Sequence, residues 1–283
     1  MGKMLKNRNC IVTGSGRGVG RASALMLAKH DARVVVNDLD DALAAEVVNE
    51  IKKMGGQAIS VNGDICAEDF PRRLIKEAVA AFGPDIDVIV NNAGFSWHSP
   101  AHKITDDQWD TLQNVLVRAP FRIIREAAPY MRDNAKKEIK QFGVAKCRKI
   151  INISSLAGME AGNTGMVNYS TAKAAIIGMT RALAKEWGPF NIGVNAVALG
   201  MIDTRLTVAA QQKIVAGEDQ QVPIGMTEIV RKAYLDAVPM GRPGTPEDVA
   251  KVIFFLASDL SDYVTDEVIR VSGGQIVPYI KLV

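Results

Sequence analysis

Thr13-Gly14-Ser15-Gly16-Arg17-Gly18-Val19-Gly20 is the stretch that decides the fold. It follows Cys10-Ile11-Val12, a short apolar run that reads as a strand. It opens a helical pattern over 20–30. Strand, glycine-rich turn and helix make the first half of a βαβ unit. The glycines permit a tight turn and close backbone approach. The helix start offers free N–H groups suited to a pyrophosphate. Gly14, Arg17, Gly18, Val19 and Gly20 are therefore expected to border a bound phosphate group.

A second strand over 33–37 ends at Asp38, twenty residues after Gly18. An acidic residue there can accept from both ribose hydroxyls of NAD and repels the 2′-phosphate of NADP. Arg17 argues the other way, since a guanidinium can pair with that phosphate. The carboxylate is the more direct constraint, so NAD is expected over NADP. The competing role for Asp38 is a helix N-cap.

The alternation continues along the chain. Helices read at 41–54, 68–82, 105–140, 167–187 and 246–257, and strands at 57–62, 86–90, 149–153, 193–198 and 267–271. Strands alternating with helices imply parallel pairing with right-handed crossovers. Apolar strands suit a sheet covered on both faces. No linker, repeat or low-complexity tract divides residues 1–283. The expected fold is α/β, a single-domain doubly wound parallel sheet of Rossmann-like type with helices on both faces.

Two segments break the rhythm. Residues 132–149 hold seven basic residues (Arg132, Lys136, Lys137, Lys140, Lys146, Arg148, Lys149) against Asp133 and Glu138. Such a segment can attract an acyl carrier or the phosphates of coenzyme A, or simply form a solvated helix end and loop. Residues 204–243 show helical pieces and no strand, and follow the carboxyl end of a strand. Ligands bind at that end of such sheets, so this insertion is expected to be a helical lid.

The chain has 283 residues, 48% hydrophobic and 23% charged, which fits an ordinary globular protein. No run of eighteen apolar residues offers a membrane span. The start lacks the apolar core of a secretion signal, and Lys6 stands where a myristoylation motif needs Ser or Thr. Cys10, Cys66 and Cys147 are odd in number and widely spaced, which fits neither a disulfide framework nor a metal site. They point to a reducing cytoplasm. A net charge of +3 is too small to imply nucleic acid.

Chemistry enters with Tyr169 and Lys173. Four residues apart in a helical run, they share one face. A tyrosine hydroxyl has a pKa near ~10. An ammonium beside it favours the phenolate, and a drop of about three units corresponds to roughly 4 kcal/mol. That arrangement makes an acid/base for an oxygen.

With the glycine turn, Asn91-Asn92-Ala93-Gly94, Ser154-Ser155 and Tyr169/Lys173 in view, the chain resembles the short-chain dehydrogenase/reductase family, from about Lys6 to Gly274. It looks most like the 3-oxoacyl-thioester reductases and related alcohol dehydrogenases. The resemblance implies three catalytic residues. Tyr169 is the acid/base, Lys173 lowers its pKa and holds the nicotinamide ribose, and Ser155 polarises the substrate oxygen. Ser155 rather than Ser154 lies three residues before a glycine, Gly158. The resemblance further implies cofactor contacts from Asp64, Ile65, Asn91, Ala93, Gly94, Ile202 and Thr204. It implies a small secondary alcohol or ketone as substrate. A 3-hydroxyacyl or 3-oxoacyl thioester comes first, and a cyclic or sterol-like alcohol second. A catalytically silent dinucleotide sensor is the reading from another class. A homodimer or homotetramer is implied, with no metal. In this family an asparagine in the middle of the long helix usually helps to hold a relay water, but Leu116 occupies that place here. Asn114 lies two residues earlier, about 200° around a regular helix. Either other groups carry the proton or the helix bends. Asp266 stands in place of a common glycine, at little cost if it turns left-handed.

Overall fold

The computed structural model describes residues 3–160, 162, 164–207, 212–216 and 220–276, with 212–216 and 220–224 described as backbone. Nine strands are described: β1 (Asn9–Val12), β2 (Arg33–Val36), β3 (Gln57–Ser60), β4 (Val88–Asn91), β5 (Arg148–Ser155), β6 (Ile192–Leu199), β7 (Gln212–Ala216), β8 (Gln220–Ile224) and β9 (Val268–Val271). Seven form one sheet in the order β3-β2-β1-β4-β5-β6-β9, and every neighbour is parallel. The order reverses between β1 and β4, where a doubly wound sheet opens its crevice.

Both faces of the sheet are covered, and alternate side chains serve each. Cys10, Val12, Val34 and Val36 pack with Leu27 of α1 (Gly18–Lys29) and Ile51 of α2 (Asp41–Lys53). Ile11 and Val35 face the other way. They pack with Leu74 of α3 (Phe70–Phe82) and with Ile89 and Ile150 of the sheet.

The expected helix over 105–140 is one helical stretch with two wide turns. It runs as α4 (Asp106–Gln113), a π-helical turn (Asn114–Arg118), α5 (Ala119–Ala128), a second π turn (Pro129–Asp133) and α6 (Asn134–Phe142). A capping box between Thr105 and Gln108 starts it, and left-handed Gly143 ends it. α7 (Leu156–Met159) and α8 (Val167–Trp187) follow β5. α9 (Glu228–Asp236) and α10 (Pro246–Ala257) precede β9. Asp266 adopts φ 69°, left-handed as expected, and its carboxylate meets Lys185 at 2.8 Å.

The lid departs from expectation. β7 and β8 form an antiparallel hairpin, with Gln212 opposite Ile224, ahead of α9. The segment is therefore not purely helical. Ile214-Val215 and Val222 carry a β-branched signal too short and too mixed with Gln and Lys to register as strands. Residues 208–211 and 217–219 of the lid lie outside the described residues.

The basic segment is largely spent on structure. Arg148 is fully buried, and its guanidinium donates to both carboxylate oxygens of Glu138 (2.5 and 2.9 Å) and to Asp85 at 3.0 Å. Hydrogen bonds from that arginine hold the Glu138 carboxyl below its usual range. Lys146 meets Asp87 at 2.5 Å, and Lys149 meets Asp262 at 2.9 Å. These pairs sit at the amino end of β5, away from the crevice, which favours the structural role over docking. Arg148→Ala is expected to destabilise the protein by about 2–3 kcal/mol, the scale of a hydrogen bond to a charged group, in urea unfolding.

Candidate active site

The carboxyl ends of β1 and β4 are pinned together by one side chain from each. The Thr13 hydroxyl accepts from the backbone N–H groups of Asn92 (3.0 Å) and Ala93 (3.1 Å). The Asn92 amide donates back to the Thr13 and Gly14 carbonyls at 2.9 and 3.0 Å. Between them the glycine turn folds back on itself, with Gly14 at φ 59° and Gly18 at φ 54°. Any side chain at Gly20 would run into the Gly14 carbonyl. Above this point lies a cavity of about 950 Å³.

The dinucleotide residues expected from sequence converge on that cavity. Gly14, Arg17, Gly18, Val19 and Gly20 form its floor, and Asp38, Asp64 and Ile65 one wall. Ala93, Gly94, Ile202 and Thr204 border the rest. Asp38 is not the helix cap, because Asp40 caps α2 by accepting from Ala42 and Leu43. The Asp38 carboxylate instead accepts from Gly16 N–H at 2.8 Å and Asp40 N–H at 3.2 Å. Asn91 is the exception, for it does not line the cavity. Its amide donates to Asn152 at 2.8 Å, and Asn152 donates to Thr180 at 2.9 Å. Strand alternation turns Asn91 under the sheet and leaves Asn92 at the crevice.

The three residues expected to be catalytic also meet there. Ser154 is buried, and its hydroxyl donates to the Lys173 carbonyl at 2.8 Å. Ser155 faces the cavity, accepts from Ala157 N–H at 3.2 Å and donates to the Leu199 carbonyl at 3.4 Å, and Tyr169 lines the same cavity. Gly158 lets α7 lie directly on α8, since any side chain would strike the Lys173 backbone. The Lys173 ammonium donates to the Ile153 carbonyl at 2.7 Å and lies 5.7 Å from the centre of the Tyr169 ring.

Burial dominates the electrostatics of the pair. It pushes the Tyr169 phenol up to about 12, against a smaller pull from the Ser155 side chain, and Tyr234 of α9 adds to the rise. Burial also takes Lys173 down to about 8. The ammonium is held by the Ile153 carbonyl, and burial is the largest influence on both groups.

The cavity also takes in polar residues that were not expected there from sequence, among them Asn92, Tyr234 and Arg205, and Asn114 joins them. The helix does bend, and the π turn brings Asn114 to the cavity wall, where its amide oxygen is buried without a partner among the described residues. Leu116 packs with Leu112 and Ala172 instead. Tyr234 and Arg205 carry no motif that distinguishes them in a single sequence.

The cavity suits a nicotinamide dinucleotide. Its floor is a backbone cradle that a Cβ would fill, and the Arg17 Nε is buried without a partner among the described residues.

Fold and site together define an oxidoreductase acting on a CH–OH or keto group. A family model described as enoyl-(acyl carrier protein) reductase matches residues 14–275, and the chain belongs to the short-chain dehydrogenase/reductase family. It is similar to the 3-oxoacyl-(acyl-carrier-protein) reductase FabG of Thermotoga maritima, 34% identical over 96% of this chain and 99% of that protein. The FabG of Aquifex aeolicus is 35% identical over 95% of this chain and 98% of its own. Among solved structures, a dehydrogenase/reductase from Sinorhizobium meliloti superposes with a TM-score of 0.81 at 28% identity, covering 96% of each chain. A short-chain type dehydrogenase/reductase from Mycobacterium marinum gives 0.80 at 26%, covering 98% of each.

The two serines separate by experiment. Ser155→Ala should lower kcat roughly a hundred- to a thousandfold, the scale of one lost oxyanion donor. Ser154→Ala should instead cost about 1 kcal/mol of stability, read in thermal melts.

Proposed function

We propose that the protein reduces a 3-oxoacyl thioester to its 3-hydroxy product with NADH. The observation that carries this reading is that Ser155, Tyr169 and Lys173 line one cavity together with the glycine turn. When bound, the nicotinamide supplies the hydride. The chain's own residues handle the oxygen. Ser155 holds the keto oxygen, and Tyr169 gives it a proton. A phenol held at about 12 keeps its proton at neutral pH, which suits an acid in ketone reduction. Lys173, anchored on Ile153, holds the nicotinamide ribose beneath Tyr169. Asn114, with its open amide oxygen, is the group on this helix that can hold a water, and that water would resupply the proton.

The identity of the FabG relatives supports the thioester. The cofactor choice is supported by Asp38, whose carboxylate stands at the wall where an adenosine ribose would lie. The protein acts as a homodimer or homotetramer paired through the 106–142 stretch and α8, which expose Phe121 and Val167. Its three unpaired cysteines suit the reducing cytoplasm.

Tyr169→Phe should abolish NADH-dependent reduction of 3-oxoacyl thioesters while NADH still binds. Near-normal turnover in that variant overturns the role of the phenol. Asp38→Ala should shift the ratio of kcat/KM values for NADH and NADPH towards NADPH. An unchanged ratio would show that this carboxylate does not choose the cofactor.

A further inference from the structure

We propose that Arg205, just after β6, is a cofactor-binding residue that closes with Arg17 over the pyrophosphate of the dinucleotide. The inference rests on the cofactor reading above and is independent of the substrate.

The backbone carrying Arg205 is firmly placed. Asp203 N–H donates to the Gly244 carbonyl at 2.8 Å, and Ile202 bridges to the same residue. The Thr207 hydroxyl accepts from Thr204 N–H at 3.0 Å and donates its one proton to the Ile202 carbonyl at 2.5 Å, with the Thr204 carbonyl also 3.0 Å away. These bonds fix a turn over 202–207. That turn lies above the glycine cradle, because the Thr204 methyl stands 3.7 Å from where a Gly18 Cβ would be.

The side chain is unspent. Arg205 is half-buried and lines the cavity, with no hydrogen bond or ion pair among the described residues. A guanidinium carries five donors. Arg17 borders the same cavity. One of its terminal nitrogens meets Asp40 at 3.2 Å, while its Nε is left without a partner among the described residues. Burial, and next the Arg17 charge, hold the Arg205 pKa below its ordinary value, against an opposing pull from the Asp38 and Asp40 carboxylates. The nearby carboxylates are already engaged, Asp38 with two N–H groups and Asp40 with the α2 cap. Two cations over a cradle of N–H groups form a site for an anion.

The pyrophosphate belongs above the glycine turn, and the 202–207 turn lies over Gly18, which favours the pyrophosphate as the partner of Arg205. Arg205 also feels the Asp38 and Asp40 carboxylates, so a 2′-phosphate against Asp38 is the competing target that the titration separates.

Calorimetric titration of the full chain with NADH, NADPH, ADP-ribose and adenosine tests this. Arg205→Gln should weaken the first three alike, by about ten- to a hundredfold, and leave adenosine unchanged. Arg205→Lys should lose less. Matching thermal melts would show that both variants fold. A loss confined to NADPH overturns the proposal, because the arginine would then read the 2′-phosphate. Unchanged affinity for all three dinucleotide ligands also overturns it. If the unaltered protein binds none of them, the cofactor reading falls with it. Tight NADH binding with no turnover of 3-oxoacyl thioesters removes the substrate reading alone.

Discussion

The hydroxyl of Thr13 holds this molecule's crevice in shape. By accepting from Asn92 and Ala93 it ties the end of β1 to the end of β4. Those are the two strands between which the sheet reverses its order. Helices leave in opposite directions on either side of that point, so their connections part and leave a gap. The Asn92 amide reinforces the tie from the other side through the Thr13 and Gly14 carbonyls. The glycine cradle, the serine at the end of β5 and the turn after β6 are all positioned relative to it.

Desolvation outweighs charge at Tyr169 and Lys173. An ammonium one helical turn from a phenol invites the idea that it makes the phenol acidic. In the folded chain the ammonium is held by the Ile153 carbonyl, and burial raises the phenol. The same burial lowers the Lys173 pKa, so its ammonium gives up a proton more readily.

Most of the sheet could be read from the chain because its strands are apolar runs bounded by glycine and asparagine. Cys10-Ile11-Val12 and Val34-Val35-Val36 are buried on both faces, and such runs have few other fates. The cofactor floor was equally legible, since a glycine turn in that place has one use. What escaped was whatever depends on phase or on long-range contact. A π turn leaves no mark in composition, so a regular helix turns Asn114 away from the cleft and only the bend, left open from sequence, brings it back. Asn91 and Asn92 differ only in strand parity, and parity is fixed by where β4 starts. The β7–β8 hairpin carries too few β-branched residues to stand out. Arg205 sits in an unpatterned loop, and only folding brings it over Gly18. Asn114, Asn92 and Arg205 all border the cavity.

The wide turn at 114–118 has a consequence for how this chain can change length. A π turn accommodates one residue more than the α-helix needs between the same two points. Removing a single residue there would restore regular α-helix without moving either end of the stretch. The downstream faces, with Ile123, Ile124 and Ala127 against the sheet, would keep their phase. The helix thus holds a spare position beside the cleft. Insertion or loss at that position swaps which side chain, asparagine or leucine, looks into the cleft, while the core behind it stays as it was.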